Sequence, residues 1–85
     1  MSSNSRVSIG EHGLHSMRIT APNMWAVVNY GHADHFDANV VSRIVSSAVG
    51  LLSDPNMTDP LNPRLREFER DAEKRHGVYV CFFRK

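Results

Sequence analysis

The stretch VYVCFF, residues 78–83, decides the fold, because it is a strand with two apolar faces. Its β-branched and aromatic residues favour extended structure. Alternate side chains of a strand point to opposite faces, so Tyr79, Cys81 and Phe83 share one face and the remaining three share the other. A strand that is apolar on both faces belongs inside a sheet or covers something with its second face. We therefore expect it to lie centrally and to pair with residues 25–30.

Three further strands are predicted in the N-terminal third of the chain. Residues 6–9 and 15–20 alternate between polar and apolar side chains, and residues 25–30 (WAVVNY) are rich in β-branched and aromatic side chains. Two glycines in the GEHG stretch, residues 10–13, predict a hairpin connection between the first two strands. Pro22 and Asn23 are typical of a second hairpin turn, between the second and third strands.

Two helices are predicted between the third and fourth strands. The first is expected to begin after Asp34 as its N-cap and to carry apolar residues at helical spacing from Phe36 to Leu52. The second has Asn62 as N-cap, Pro63 as its first residue and Gly77 as its stop. Residues 53–63 hold three prolines and predict a connector between the helices.

The predicted order β-β-β-α-α-β indicates an α+β fold with two layers. We expect an antiparallel or mixed sheet of about four strands with both helices packed on one face. The 85 residues form one domain, residues 1–85, with a polar and flexible leader at residues 1–5. Two helices on one face cannot bury all the predicted aromatic strand surface, so the other face should expose rings.

Composition and charge exclude several classes of protein. No apolar run approaches 18 residues, the length of a membrane span, and the N-terminus lacks the apolar core of a signal peptide. One cysteine excludes an intrachain disulfide framework and fits a reducing compartment. A net charge of +1 is untypical of a strongly basic nucleic-acid binder. These features predict a cytoplasmic protein without a membrane partner.

No catalytic or cofactor motif is present. The sequence has no glycine-rich phosphate loop and no nucleophile elbow. Cys81, the only thiol, has the apolar surroundings of an inert, buried cysteine. We therefore expect neither enzymatic activity nor a cofactor.

Four of the five histidines form two H-x-x-H pairs, His12 with His15 and His32 with His35. Imidazole suits zinc and other first-row metals, and short spacing lets one turn supply two ligands. A metal-binding protein is therefore one alternative function, and a proton sensor is another, because histidine ordinarily titrates near physiological pH. Ordinary surface histidines explain the pairs more simply, so we assign no metal site.

Single-stranded nucleic acid is a further alternative partner. Five basic residues gather on the second helix, and aromatic residues of a sheet can stack bases. Four acidic residues are interleaved with those basic residues and cancel most of their field. Nucleic-acid binding is therefore the less favoured interpretation.

The favoured interpretation is a non-enzymatic protein that binds a larger protein or complex by stoichiometric contact and inhibits or regulates it. Aromatic residues and arginine dominate binding hot spots, and exposed apolar patches mark partner surfaces. The small size also suits accessory inhibitors of bacteriophages and mobile elements, including the anti-CRISPR type. The same surface could form a homodimer. The predicted partner-binding residues are Trp25, Tyr30, Arg66, Arg70, Tyr79 and Phe83.

Overall fold

A computed structural model describes residues 7–31 and 37–85 and confirms the α+β fold with the predicted order of elements. The strands are β1 (Ser8–Gly13), β2 (Ser16–Thr20), β3 (Met24–Asn29) and β4 (Tyr79–Arg84), and the helices are α1 (Ala38–Leu52) and α2 (Pro63–His76). The strands form one antiparallel sheet in the order β1-β2-β3-β4. The order of the strands along the chain is therefore also their order in the sheet.

β4 pairs with β3 as predicted, but its predicted central position is wrong. It lies at an edge of the sheet, with a strand on one side only in the described part of the chain. An edge position does not account for the apolar side chains on the second face of β4. Tyr79, Cys81 and Phe83 are exposed, whereas Val80 and Phe82 are buried in the core.

The two hairpins differ in how well the sequence located them. Pro22 and Asn23 close the β2–β3 hairpin as predicted, with the Ala21 N–H donating to the Met24 carbonyl over 2.9 Å. The connection predicted at residues 10–13 is instead part of β1, which continues to Gly13 with an irregular register after Glu11. The β1–β2 turn comes later, at residues 14–15, where His15 adopts a positive φ of 60°.

Helix α1 begins later than predicted. Asp37, not Asp34, is the N-cap, and its Oδ1 accepts a hydrogen bond of 2.9 Å from the Asn39 N–H. Asp34 and Phe36 lie outside the described residues. The arc of α1 that faces away from the core is exposed at Asn39, Arg43, Ser46, Ser47 and Gly50.

Helix α2 has the predicted ends. Asn62 Oδ1 accepts a 2.9 Å hydrogen bond from the Arg64 N–H, and Pro63 is the first helical residue, where it loses no hydrogen bond. Gly77 ends the helix in the left-handed region at φ 67°, and its N–H donates to the Glu73 carbonyl. The short link through Gly77 to β4 makes α2 and β4 antiparallel neighbours.

The core lies between the helices and one face of the sheet. Helix α1 packs over β2 and β3, and α2 packs over β4. Ile19, Met24 and Val28 of the sheet side and Leu65 of α2 are essentially inaccessible to solvent. The connector between the helices also contributes, because Met57 is buried there. Both helices pack on this face, so neither of the described helices covers the opposite face of the sheet.

Candidate binding face of the sheet

The face of the sheet opposite the helices, called here the open face, is formed by alternate residues of each strand. In β3, Met24, Ala26 and Val28 point into the core, whereas Trp25 and Val27 are only partly buried. The pairing registers place Arg18 opposite Val27 and Thr20 opposite Trp25. The residues of β2, β3 and β4 on the open face are Ser16, Arg18, Thr20, Trp25, Val27, Asn29, Tyr79, Cys81 and Phe83.

Trp25 is the centre of an aromatic and cationic cluster on the open face. Its ring stacks on Phe83, with centroids 4.3 Å apart and planes inclined by 23°. The Arg18 guanidinium carbon lies 4.4 Å from the indole centroid, a cation–π distance, and the His12 ring lies 6.4 Å away. Arg18 belongs to β2 and Phe83 to β4, on either side of β3. The two groups therefore enclose the indole from opposite sides.

The outer part of this cluster is accessible and carries charge of one sign. Phe83 exposes 39% of its surface and Tyr79 exposes 44%. Arg18 is exposed, and no Asp or Glu belongs to the open face among the described strand residues. An apolar, cationic surface of this kind is complementary to a partner that presents apolar groups beside carboxylates.

The structure brings together three of the four predicted aromatic anchors. Trp25, Tyr79 and Phe83 share the open face, whereas Tyr30 lies on the helix side and packs against the core. The Tyr30 ring contacts the His15 ring edge-on at 5.9 Å. Tyr30 also borders a depression of about 410 Å³ between the sheet and α1, well away from the indole cluster.

The predicted rim arginines lie beside the open face and not on it. Arg66 and Arg70 belong to α2 and line a groove of about 330 Å³ between that helix and the edge of β4. Tyr79 and Cys81 line the same groove, so it meets the open face along β4. Arg66 Nε lies 3.7 Å from Glu69 Oε1, so part of the positive charge is paired within the helix.

Cys81 is exposed on β4, so its predicted burial is wrong. The edge position of β4 explains the difference, because a central strand would have had neighbours on both sides. Partial desolvation by the surrounding apolar groups, reinforced by the negative charge of Glu69, raises the pKa of the Cys81 thiol. A raised thiol pKa lowers the thiolate fraction at neutral pH and makes the thiol a poor nucleophile.

We expect the rate of Cys81 alkylation to rise at a higher pH in the folded protein than in the protein unfolded in urea. The folded thiol has the raised pKa, so its thiolate forms later on the pH scale. Alkylation by iodoacetamide across a pH series measures both midpoints, and Glu69→Gln should move the folded midpoint downward. Equal midpoints in the folded and unfolded protein would contradict this account.

The histidine pairs are only partly described. His32 and His35 lie outside the described residues, whereas His12 and His15 contact the Trp25 and Tyr30 rings. Within residues 7–31 and 37–85, no group of three or more His, Cys, Asp or Glu side chains is arranged to hold a metal ion. The roles of His12 and His15 that the structure supports are therefore ring contacts.

Sequence reasoning did not select Arg18, and it considered His12 only as a metal ligand. Arg18 alternates with Met17 and Ile19, so it could be assigned to the opposite face of its strand, whereas His12 lay in a stretch predicted to be a turn. Their proximity to Trp25 depends on the register between strands, which places Thr20 opposite Trp25. A two-residue turn at Pro22 and Asn23 implies that register, so the turn was the feature of the sequence from which the position of Arg18 beside Trp25 could have been predicted.

Comparison of the chain with protein-family models, with curated proteins and with solved structures finds no match. Neither of the two helices in the described part of the chain has the length and apolar character needed to cross a lipid bilayer.

Proposed function

We propose that the protein is a non-enzymatic binding protein that docks through its open face onto a larger protein or complex and regulates or inhibits it by occupying that surface. The observation that carries the proposal is the Trp25 cluster, an aromatic and cationic patch on a sheet face that neither described helix covers. Aromatic rings that are stacked on the exposed face of a small domain form an apolar patch, and such patches mark surfaces that contact a partner.

The chemistry of the patch specifies the kind of partner surface. Phe83 and Tyr79 supply accessible ring area, and aromatic side chains carry much of the energy of protein interfaces. Arg18 stands at the side of the indole with no carboxylate beside it on the open face among the described strand residues. The complementary surface presents an apolar patch next to Asp or Glu side chains.

The enclosed position of Trp25 favours a protein partner over single-stranded nucleic acid. Base stacking needs an open ring face, but Arg18 and Phe83 occupy the two sides of the indole. The arginines of α2 would have to contact phosphates, yet Arg66 and Arg70 lie in the groove beside β4 and not next to the Trp25 cluster. Stacking and phosphate contact are therefore not aligned on one surface.

The proposal predicts that open-face substitutions weaken partner binding at least tenfold while the fold is kept. Tagged protein is used to capture its partner from the source cells, and the purified partner is then titrated by calorimetry. We expect a fixed stoichiometry, and we expect Arg18→Glu and Phe83→Ala to weaken binding because one reverses the charge and the other removes the accessible ring. The activity of the partner, measured with and without one equivalent of this protein, reports regulation.

Matched controls lie elsewhere on the surface. Arg43→Glu makes the same charge change on the exposed arc of α1, and Leu61→Ala removes an exposed apolar side chain from the connector. Both controls should bind like the original protein. Equal binding by all four variants would overturn the proposal, and capture that disappears after nuclease treatment would favour the nucleic-acid alternative instead.

A further inference from the structure

The free edge of β4 is a second potential contact surface, independent of the open face. Backbone groups in an antiparallel strand alternate between the two sides. The Lys85 N–H donates to the Asn23 carbonyl, toward β3, and the Glu69 carboxylate lies beside the Phe82 N–H on the other side of β4. The alternation therefore directs the backbone N–H and C=O groups of Val80, Phe82 and Arg84 outward from the sheet.

Helix α2 presents a stripe of alternating charge beside this edge. Arg66, Glu69, Arg70 and Glu73 have the i, i+3, i+4, i+7 spacing of one helix face, and all four line the groove next to β4. The order of the charges is self-complementary. A two-fold axis between residues 69 and 70 would place Arg66 opposite Glu73 and Glu69 opposite Arg70 of a second, antiparallel helix.

We propose that two copies of the chain pair antiparallel through their β4 edges, forming one continuous sheet across a two-fold axis with the two α2 stripes side by side. Both surfaces needed for this contact belong to every copy, as an isologous interface requires. Each opposite-charge contact between the stripes then occurs twice by symmetry. The partner at this edge is therefore a second copy of this chain.

The geometry of α2 and β4 also specifies the register. The midpoint of the charge stripe lies about 10 Å from the C-terminal end of α2, since the helix rises ~1.5 Å per residue. A strand rises ~3.3 Å per residue, so this midpoint is level with a position about three residues beyond Val78. The two-fold axis therefore passes close to Cys81. In that register Val80 of each copy exchanges backbone hydrogen bonds with Phe82 of the other.

Glu69 connects the single chain to the pair. In the single chain its carboxylate lies beside the outward Phe82 N–H and shields part of the edge. In the pair that N–H donates to the Val80 carbonyl of the second copy, and Glu69 is released to face Arg70 across the axis. Pairing replaces the contact between Glu69 and the Phe82 N–H with a backbone hydrogen bond. The other edge hydrogen bonds and the contacts between the charge stripes add to the stability of the pair.

Sedimentation velocity from micromolar to millimolar concentration, without any other partner, tests the pairing. We expect reversible dimers that weaken at high salt, because the stripe contacts are exposed charges. Arg66→Glu should weaken dimerisation roughly tenfold, since two attractive contacts become repulsive. The double variant Arg66→Glu, Glu73→Arg restores opposite charges across the axis and should recover most of the association.

Cys81 supplies a test of the register. Residues opposite each other at a non-hydrogen-bonded position are about 4.5 Å apart at Cα, so a short bis-maleimide at alkaline pH should link the two Cys81 thiols. Cys81→Ser is the control for the reaction, and circular dichroism checks the fold of each variant. A chain that remains monomeric would overturn the proposal and assign the stripe to edge protection. A dimer that neither reverses with the charge swap nor links through Cys81 would also overturn it. The result does not depend on the open-face partner.

Discussion

Replacing Leu65 by alanine is expected to lower the free energy of unfolding by about 3 kcal/mol. Leu65 is fully buried in the first turns of α2, where it fixes that helix to the core. The alanine variant loses the transfer energy of the removed methyl groups and leaves a cavity that a thin core fills poorly. A domain of 85 residues is stable by only roughly 4–12 kcal/mol, so a large part of the stability disappears.

The same substitution four residues earlier provides the control. Leu61 exposes 67% of its surface, so Leu61→Ala should change stability by less than about 0.5 kcal/mol. Urea unfolding followed by circular dichroism measures both variants, and the midpoint of thermal unfolding of Leu65→Ala should fall by roughly 10–20 °C. Similar losses for the two variants would mean that α2 is not held to the sheet through Leu65.

The contrast between α2 and β4 shows what the sequence could predict. The ends of α2 depend on local chemistry, an amide acceptor at Asn62 and a left-handed residue at Gly77, and both were predicted correctly. The position of β4 depends on contacts with residues far away in the chain. The apolar content of the strand suggested a central position, but β4 lies at an edge of the sheet with Glu69 of α2 beside it. The composition of the strand does not indicate this neighbour.

The candidate site was predicted in its residues more than in its arrangement. Both faces of β3 carry large or apolar side chains, so alternation could not decide whether Trp25 or Tyr30 would be left open. The helices pack against the side with the smaller residues Ala26 and Val28, which allows close approach of α1. Which face of β3 the helices cover depends on the volume available between the helix layer and the sheet. Only the assembled fold defines that volume.

Trp25→Ala is expected to reduce the free energy of unfolding by about 2 kcal/mol, more than Phe83→Ala does. The indole is partly buried and contacts both Phe83 and Arg18, and a stacked aromatic pair contributes ~0.5–1.5 kcal/mol beyond its buried area. A cation–π contact adds ~0.5–1 kcal/mol at an exposed site. A double-mutant cycle between Trp25 and Phe83 in urea unfolding measures the coupling directly.

Substitutions of Trp25 and Phe83 should differ in their effects on the free energy of unfolding and on partner affinity. Trp25 stands between its neighbours and acts mainly within the molecule, so its removal costs stability and lowers affinity by disordering Arg18 and Phe83. Phe83 has an accessible outer side, with 39% of its surface exposed, so its removal should cost more affinity than stability. The opposite ranking, with Phe83 the more important for folding and Trp25 for binding, would mean that the partner reaches the indole itself. Zero coupling in the cycle would mean that the stack does not persist in solution, and the open face would then lack the rigid aromatic surface on which docking depends.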